Sequence, residues 1–250
     1  MTLLRGAALA LLAMGVAACP SQARQEKAQA KVELGSAYLV EGATEQAIAT
    51  LQEATEIDRR NIDAWNQLGM AMMKRGEFER GEDAFKKGLR LNKNNASINL
   101  NYSYFLLKQE RWAEAVVHLE AGMNDLTFRE PAKILNNLGY AYYAQGRFGS
   151  AERRLKEAVI RAPHYCQAWF NLGLVYEALN RSPDAIDAYD HVVMICPGDA
   201  AGSYQRSGVL FLASGRMEEG VHYLNRVCED WPGSDLCKEA KTVLAGVETE

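Results

Sequence analysis

The chain has little excess charge of either sign: 28 Lys and Arg stand against 32 Asp and Glu, a formal net charge of −4 at pH 7. No Lys/Arg run is long enough to track a phosphate backbone, which removes nucleic acid from the expected partners. Histidine is scarce as well. His118, His164, His191 and His222 are scattered, and none stands in an H-E-x-x-H or other paired-ligand spacing, so no metal site is expected. A strand pattern is missing, and with it any Gly-rich phosphate loop that would follow a strand. An enzyme, a cofactor and a small-molecule substrate are therefore not expected. The apolar run Gly6–Met14 is too short to span a bilayer as a permanent helix.

What is present is a core-forming composition, 48% hydrophobic and 9% aromatic over 250 residues, organised by recurrence. The stretch Ala168–Pro197 carries Trp169, Leu172, Gly173, Tyr176, Ala185, Tyr189 and Pro197. Leu172 and Tyr176 lie four apart on one helical face, while Gly173 and Ala185 are small enough to let two helices approach closely. Tyr189 on the second helix is expected to fill the space against the next unit, and Pro197 stops that helix. These residues resemble the tetratricopeptide repeat (TPR), W-x2-L-G-x2-Y followed by Ala, an aromatic and Pro over about 34 residues. One such unit cannot bury its apolar face alone, so it must recur.

Six units can be laid end to end: 28–61, 62–95, 96–131, 132–165, 166–200 and 201–234. The third diverges most and runs long through Leu126-Thr127-Phe128-Arg129-Glu130-Pro131, which predicts an extra surface loop before the fourth. Residues 235–250 read as a capping helix and tail. The expected fold is all-α, a right-handed superhelical TPR solenoid with a C-terminal cap.

Residues 1–18 read as a signal peptide, with Arg5 ahead of the apolar run. Val16-Ala17-Ala18-Cys19 resembles the lipobox of bacterial lipoproteins, in which the Cys is lipidated. Pro20 rather than Asp follows Cys19, which favours delivery to the outer membrane, facing the periplasm. Residues 19–27 are expected to form the lipidated Cys and a short polar tether.

In TPR arrays the first helix of each unit lines the inner groove. The face not used for packing carries Leu39, Met70, Met73, Tyr104, Leu107, Tyr140, Tyr143, Phe170 and Leu174, an apolar and aromatic strip. Amides accompany it at Asn66, Asn101, Asn136, Asn137 and Asn171. Such a strip suits an amphipathic or extended segment of a protein partner. Only Lys74 and Lys108 stand beside it, too few cations for a receptor of C-terminal carboxylates.

Beyond Cys19, the cysteines are Cys166, Cys196, Cys228 and Cys237, all in the last third of a chain read as exported. Four Cys allow three pairings. Cys166–Cys196 suits the two ends of one helix pair, and Cys228–Cys237 would clip the capping helix. The alternative is four small buried residues at packing positions.

Asn101-Tyr102-Ser103-Tyr104-Phe105-Leu106, the long loop through Phe128–Pro131, and Asn137-Leu138-Gly139 resemble the PilF/PilW/Tgl family of type IV pilus lipoproteins, the pilotins of the pilus secretin. Ser103 departs from that family's usual Gly. The resemblance implies an outer-membrane lipoprotein, expected as a monomer, that binds secretin subunits and promotes their localisation and assembly, supporting pilus biogenesis and motility. Two rivals share most of these features. One is a lipid-anchored TPR adaptor for another envelope machine, such as a cell-wall hydrolase scaffold. The other is an accessory subunit of an envelope enzyme whose partner carries the catalysis.

Overall fold

The computed structural model describes residues 20–247, so the expected signal peptide, the lipidation site Cys19 and residues 248–250 lie outside it. Every regular element among the described residues is helical: α1 (Pro20–Glu41), α2 (Thr44–Ile57), α3 (Ile62–Arg75), α4 (Phe78–Leu91), α5 (Ala96–Lys108), α6 (Trp112–Gly122), α7 (Pro131–Ala144), α8 (Phe148–Arg161), α9 (Cys166–Ala178), α10 (Ser182–Ile195), α11 (Ala201–Ala213), α12 (Met217–Asp230) and α13 (Asp235–Val247). A single 3-10 turn, Pro197–Asp199, separates α10 from α11. Odd- and even-numbered helices alternate as first and second members of helix–turn–helix pairs, the TPR arrangement. Among the described residues no helix is long and apolar enough to cross a membrane.

One turn recurs between the members of each pair. Gly42, Gly76, Gly146 and Gly215 have φ of 80°, 86°, 70° and 76°, and Glu110 and Asn180 take the same left-handed position at 60° and 55°. The next residue returns its amide to the carbonyl five back, as in Arg147 to Tyr142 (2.9 Å), Arg181 to Tyr176 (2.9 Å) and Arg216 to Phe211 (2.9 Å). This closure satisfies carbonyls that a helix end leaves open. It also folds each arginine back over its ring, at 4.4 Å for Tyr142, 4.5 Å for Tyr176 and 4.3 Å for Phe211. A guanidinium so placed is attracted by the negative ring face.

Close approach within each pair depends on a missing side chain. A Cβ at Gly35, Gly139, Gly173 or Gly208 would overlap Leu51, Leu155, Tyr189 or Leu224, a residue sixteen positions on in every case. In the third pair Ser103 stands at this position, fully buried, with its hydroxyl donated to the Leu100 carbonyl at 2.7 Å.

The chain divides into two compact units, 1–81 and 82–250, the division falling inside α4. In the first, Val32, Ala54 and Ala64 join α1, α2 and α3. Lys74 donates from Nζ to the Leu39 carbonyl at 2.9 Å, beside the Gly42 amide that reaches the same oxygen at 3.3 Å, at the end of α1. In the second, Phe85 stacks on Tyr102 at 5.4 Å, and Leu119, Ile134, Leu138, Leu155 and Tyr189 are fully buried. α13 closes this unit by burying Cys237 and Ala240 against Leu224 and Val227.

Ion pairs tie successive repeats of the second unit. Arg111 meets Glu82 at 2.8 Å, Arg181 meets Glu152 at 3.0 Å and Arg206 meets Glu177 at 3.0 Å, each across 29 residues. Tyr189 donates its hydroxyl to the same Glu177 carboxylate. Burial first, and Glu177 second, push the Tyr189 phenol far up.

Two boundaries differ from expectation. Residues 20–27, read as a tether, are the opening turns of α1. Gln, Ala, Arg, Glu and Lys are good helix formers, and extending an existing helix costs far less than starting one. Gln22 and Glu26 add a side-chain bond at 3.1 Å. Pro131, assigned to the end of the third repeat, is the first residue of α7 instead, a position that needs no amide proton.

Candidate binding face

The expected inner face must be taken unit by unit. In the first unit Leu39 and Met70 are half-buried and Val40 is exposed. Met73, expected in the groove, is buried at 4% exposure and packs where a Cβ at Gly81 would stand, 2.8 Å from its Cγ. It is a packing residue.

The second unit carries most of the strip. Tyr104 on α5 is 48% exposed, meets Phe105 edge-on at 5.5 Å and has the Lys108 ammonium 5.6 Å from its ring. Tyr140 and Tyr143 on α7 are half-buried with centroids 6.5 Å apart. Phe170 and Leu174 on α9 are half-buried, and Phe170 leans on Tyr189 at 5.6 Å. Leu107 does not belong with them. At 8% exposure it is a core residue of α5, and a charge placed there would be desolvated rather than presented to a partner.

Two aromatic residues join this face that the repeat pattern did not single out. Trp112 lies edge-on to Tyr140 at 6.0 Å, and Phe148 lies 5.9 Å from Tyr143. Each is the first residue of a second helix, directly after the turn arginine: Arg111-Trp112 and Arg147-Phe148. The recurring Arg-aromatic pair was the signal available in the sequence.

The amides expected to line the groove belong mostly to the scaffold. Asn136 and Asn171 are 3% and 5% exposed, and Asn171 donates to Asn136 at 2.8 Å, joining α7 to α9. Gln167 donates to Asn171 at 3.1 Å, and Asn136 to Asn137 at 3.1 Å. Buried amides paired in this way hold neighbouring first helices in register while leaving no polar atom unanswered. Asn66 is likewise buried, at 5%.

Disulfides join Cys166 to Cys196 and Cys228 to Cys237, with Cα atoms 6.4 Å and 4.7 Å apart. The first links the start of α9 to the residue after α10; the second links α12 to the cap.

The histidines are dispersed. His118 is paired with Asn99 at 3.0 Å, His191 stacks on Trp169 at 4.1 Å, and His222 lies beside Tyr223 at 6.0 Å. Among the described residues no three His, Cys, Asp or Glu side chains group as metal ligands. What the face offers is ring and aliphatic carbon on rigid helices, the chemistry of peptide recognition.

Comparison with known proteins places this geometry. Tetratricopeptide-repeat family models match residues 35–76, 62–95 and 136–200. A protein of Pseudomonas aeruginosa named type IV pilus assembly protein PilF is 32% identical over 145 residues, which cover 54% of this chain and 58% of that protein. An uncharacterised Haemophilus influenzae protein is 22% identical over 145 residues, 56% of this chain and 81% of its own. In fold, the chain matches the crystal structure of PilW, described as a widely conserved type IV pilus biogenesis factor. The TM-score is 0.78 at 23% identity, covering 87% of this chain and 98% of that one. The solved Pseudomonas aeruginosa PilF matches with TM-score 0.78 at 24% identity, over 88% of this chain and 99% of that one.

Proposed function

We propose that this tetratricopeptide-repeat protein, which resembles PilF in sequence and PilF and PilW in fold, acts in type IV pilus biogenesis as a lipid-anchored pilotin. It is held at the outer membrane through Cys19, binds secretin subunits through the aromatic face of its second unit, and promotes their localisation and assembly into multimers. The observation that carries the reading is the 32% identity to PilF over 145 residues. The physical support comes from the face itself. Tyr104, Tyr140, Tyr143 and Phe170 leave ring surface accessible on helices that are fixed from behind by ion pairs and buried amides. A rigid apolar face shields a client segment without first having to order itself. Anchoring both partners at one membrane would raise their effective concentration.

The test is an immunoblot for heat- and detergent-resistant secretin multimers in outer-membrane fractions, comparing wild type, a deletion and Cys19→Ser. Multimers should vanish in the deletion and fall or mislocalise in Cys19→Ser. Tyr140→Asp should weaken secretin binding while leaving circular dichroism unchanged. Unchanged multimers in both strains would send the search to a different envelope client.

A further inference from the structure

We infer that a cleft between the loops entering α7 and α9 is a second docking site, for an acidic peptide segment. The cleft has a volume of about 590 Å³ and is lined by Arg129, Lys133, Arg161 and His164, with Glu130 the one acidic residue on its wall. Its apolar surface comes from Pro131, Pro163 and the half-buried ring of Tyr165. The site is separate from the aromatic face. Pro131–Lys133 open α7, whereas Tyr140 and Tyr143 lie toward its other end, about 13 Å along the axis at 1.5 Å per residue.

Charge decides the occupant. Glu130 is answered by Lys133 at 2.5 Å, and Arg161 binds Glu157 through Nε and Nη2 at 3.2 and 3.0 Å, which leaves its Nη1 for another acceptor. Arg129 forms no ion pair among the described residues, so the wall carries a cation beyond those its own carboxylates neutralise. No protein hydrogen bond holds the Tyr165 hydroxyl among the described residues, and burial first, then the nearby Glu130 carboxylate, help keep its phenol protonated and able to donate. A carboxylate entering the cleft would find guanidinium groups and a phenol among the lining residues, and charge-assisted bonds of this kind are the strong ones. The prolines and the Tyr165 ring would take the aliphatic neighbour of that carboxylate. A membrane surface fits less well, because the cations line a recess between two loops with Glu130 among them and do not form an unbroken basic helix face. One wall is the elongated loop between the third and fourth repeats. Its added residues thus acquire a use, and the inference does not depend on the pilus reading.

The test is fluorescence anisotropy with the full chain and a fluorescein-labelled octapeptide of alternating Glu and Leu, against the same peptide with Lys for Glu. The acidic peptide should bind and the basic one should not. Arg129→Glu with Arg161→Glu should weaken binding by about tenfold or more, since two attractive contacts become repulsive. Both positions are exposed, so circular dichroism should stay unchanged, and Tyr140→Asp should leave the affinity as it was. Equal binding of the two peptides, undiminished binding by the double variant, or binding to phosphatidylglycerol vesicles with none to the acidic peptide would overturn the proposal.

Discussion

The ring of Tyr189 occupies the volume that a Cβ at Gly173 would need. Tyr189 is fully buried, and its hydroxyl is held by Glu177, so the ring cannot swing aside without breaking that bond. Gly173→Ala should therefore cost about 1–3 kcal/mol, the range for overpacking a filled core. Gly149, with no atom near its Cβ direction, makes the control. Gly149→Ala in α8 should be neutral or stabilise by up to about 1 kcal/mol. Thermal unfolding of the two variants should move in opposite directions.

Glu110 is the one residue other than Gly or Asn that the described turns hold at positive φ, 60°. The equivalent turns use glycine at 42, 76, 146 and 215. A non-glycine residue in the left-handed region costs about 1–2 kcal/mol, partly offset by the extra freedom glycine has when unfolded. Glu110→Gly should raise stability by about 0.5–1 kcal/mol, read as a higher urea midpoint with an unchanged slope.

Acid should weaken the second unit in two stages. Burial between α5 and α6 holds His118 below its ordinary 6.5, against the opposing pull of Glu114 and Glu82, with Lys86 and Arg111 also facing it. The unfolded chain binds that proton more readily, so stability falls as pH drops below about 6.5. The hydrogen bond from Arg111, reinforced by Lys86, brings Glu82 from 4.5 down to about 2. Its contribution is complete above about 4.5 and is lost as pH falls toward 2. Both effects have the same sign. Urea midpoints for His118→Gln should lose the upper stage and keep the lower one.

Reduction should loosen the C-terminal end selectively. The Cys228–Cys237 bond clips α13 to α12, and the Cys166–Cys196 bond closes a longer loop of 30 residues. Bonds of this kind stabilise by about 2–4 kcal/mol. Hydrogen exchange under dithiothreitol should speed first in α13, which buries only Cys237 and Ala240 fully. Mass spectrometry of non-reduced, digested protein showing four free thiols would remove the basis for the expectation.

That Gly173 and its equivalents allow close approach of two helices was legible in the sequence, because they stand at fixed places in the repeat. That the residue sixteen positions later fills the space each one leaves was not: the repeat pattern sets Tyr189 against the next unit, and the structure packs it on Gly173 of its own pair. Gly173 and Tyr189 each stand at a packing position of the repeat, and only the partner of Tyr189 differed from expectation. Leu107 and Met73 could not be assigned as surely. Adjacent positions on a helix differ by about 100°, so a stripe read from one strand of sequence drifts from groove to core within a single residue unless the neighbour is known. Tyr104 and Leu107, three apart, ended on opposite sides of that border. Trp112 and Phe148 were missed because they reach the face through the turn, and the turn's geometry rests on a left-handed residue that helical periodicity does not encode. The opening of α1 shows the same ambiguity from the other side, since the residues that make a solvated linker also make a solvated helix.

The three carboxylate–guanidinium ties between repeats all point one way: the acid lies in the earlier repeat and the arginine in the later one. Truncation from the two termini is therefore not equivalent. Cutting away α1–α4 takes Glu82 from Arg111, yet Arg111 keeps Glu114 at 2.7 Å and stays neutralised. Cutting away α11 onward takes Arg206 from Glu177 and leaves that carboxylate facing only the Tyr189 hydroxyl. Shortened forms made from the front thus keep Arg111 paired, whereas those made from the back present a carboxylate without its ion-pair partner at a newly bared helix face.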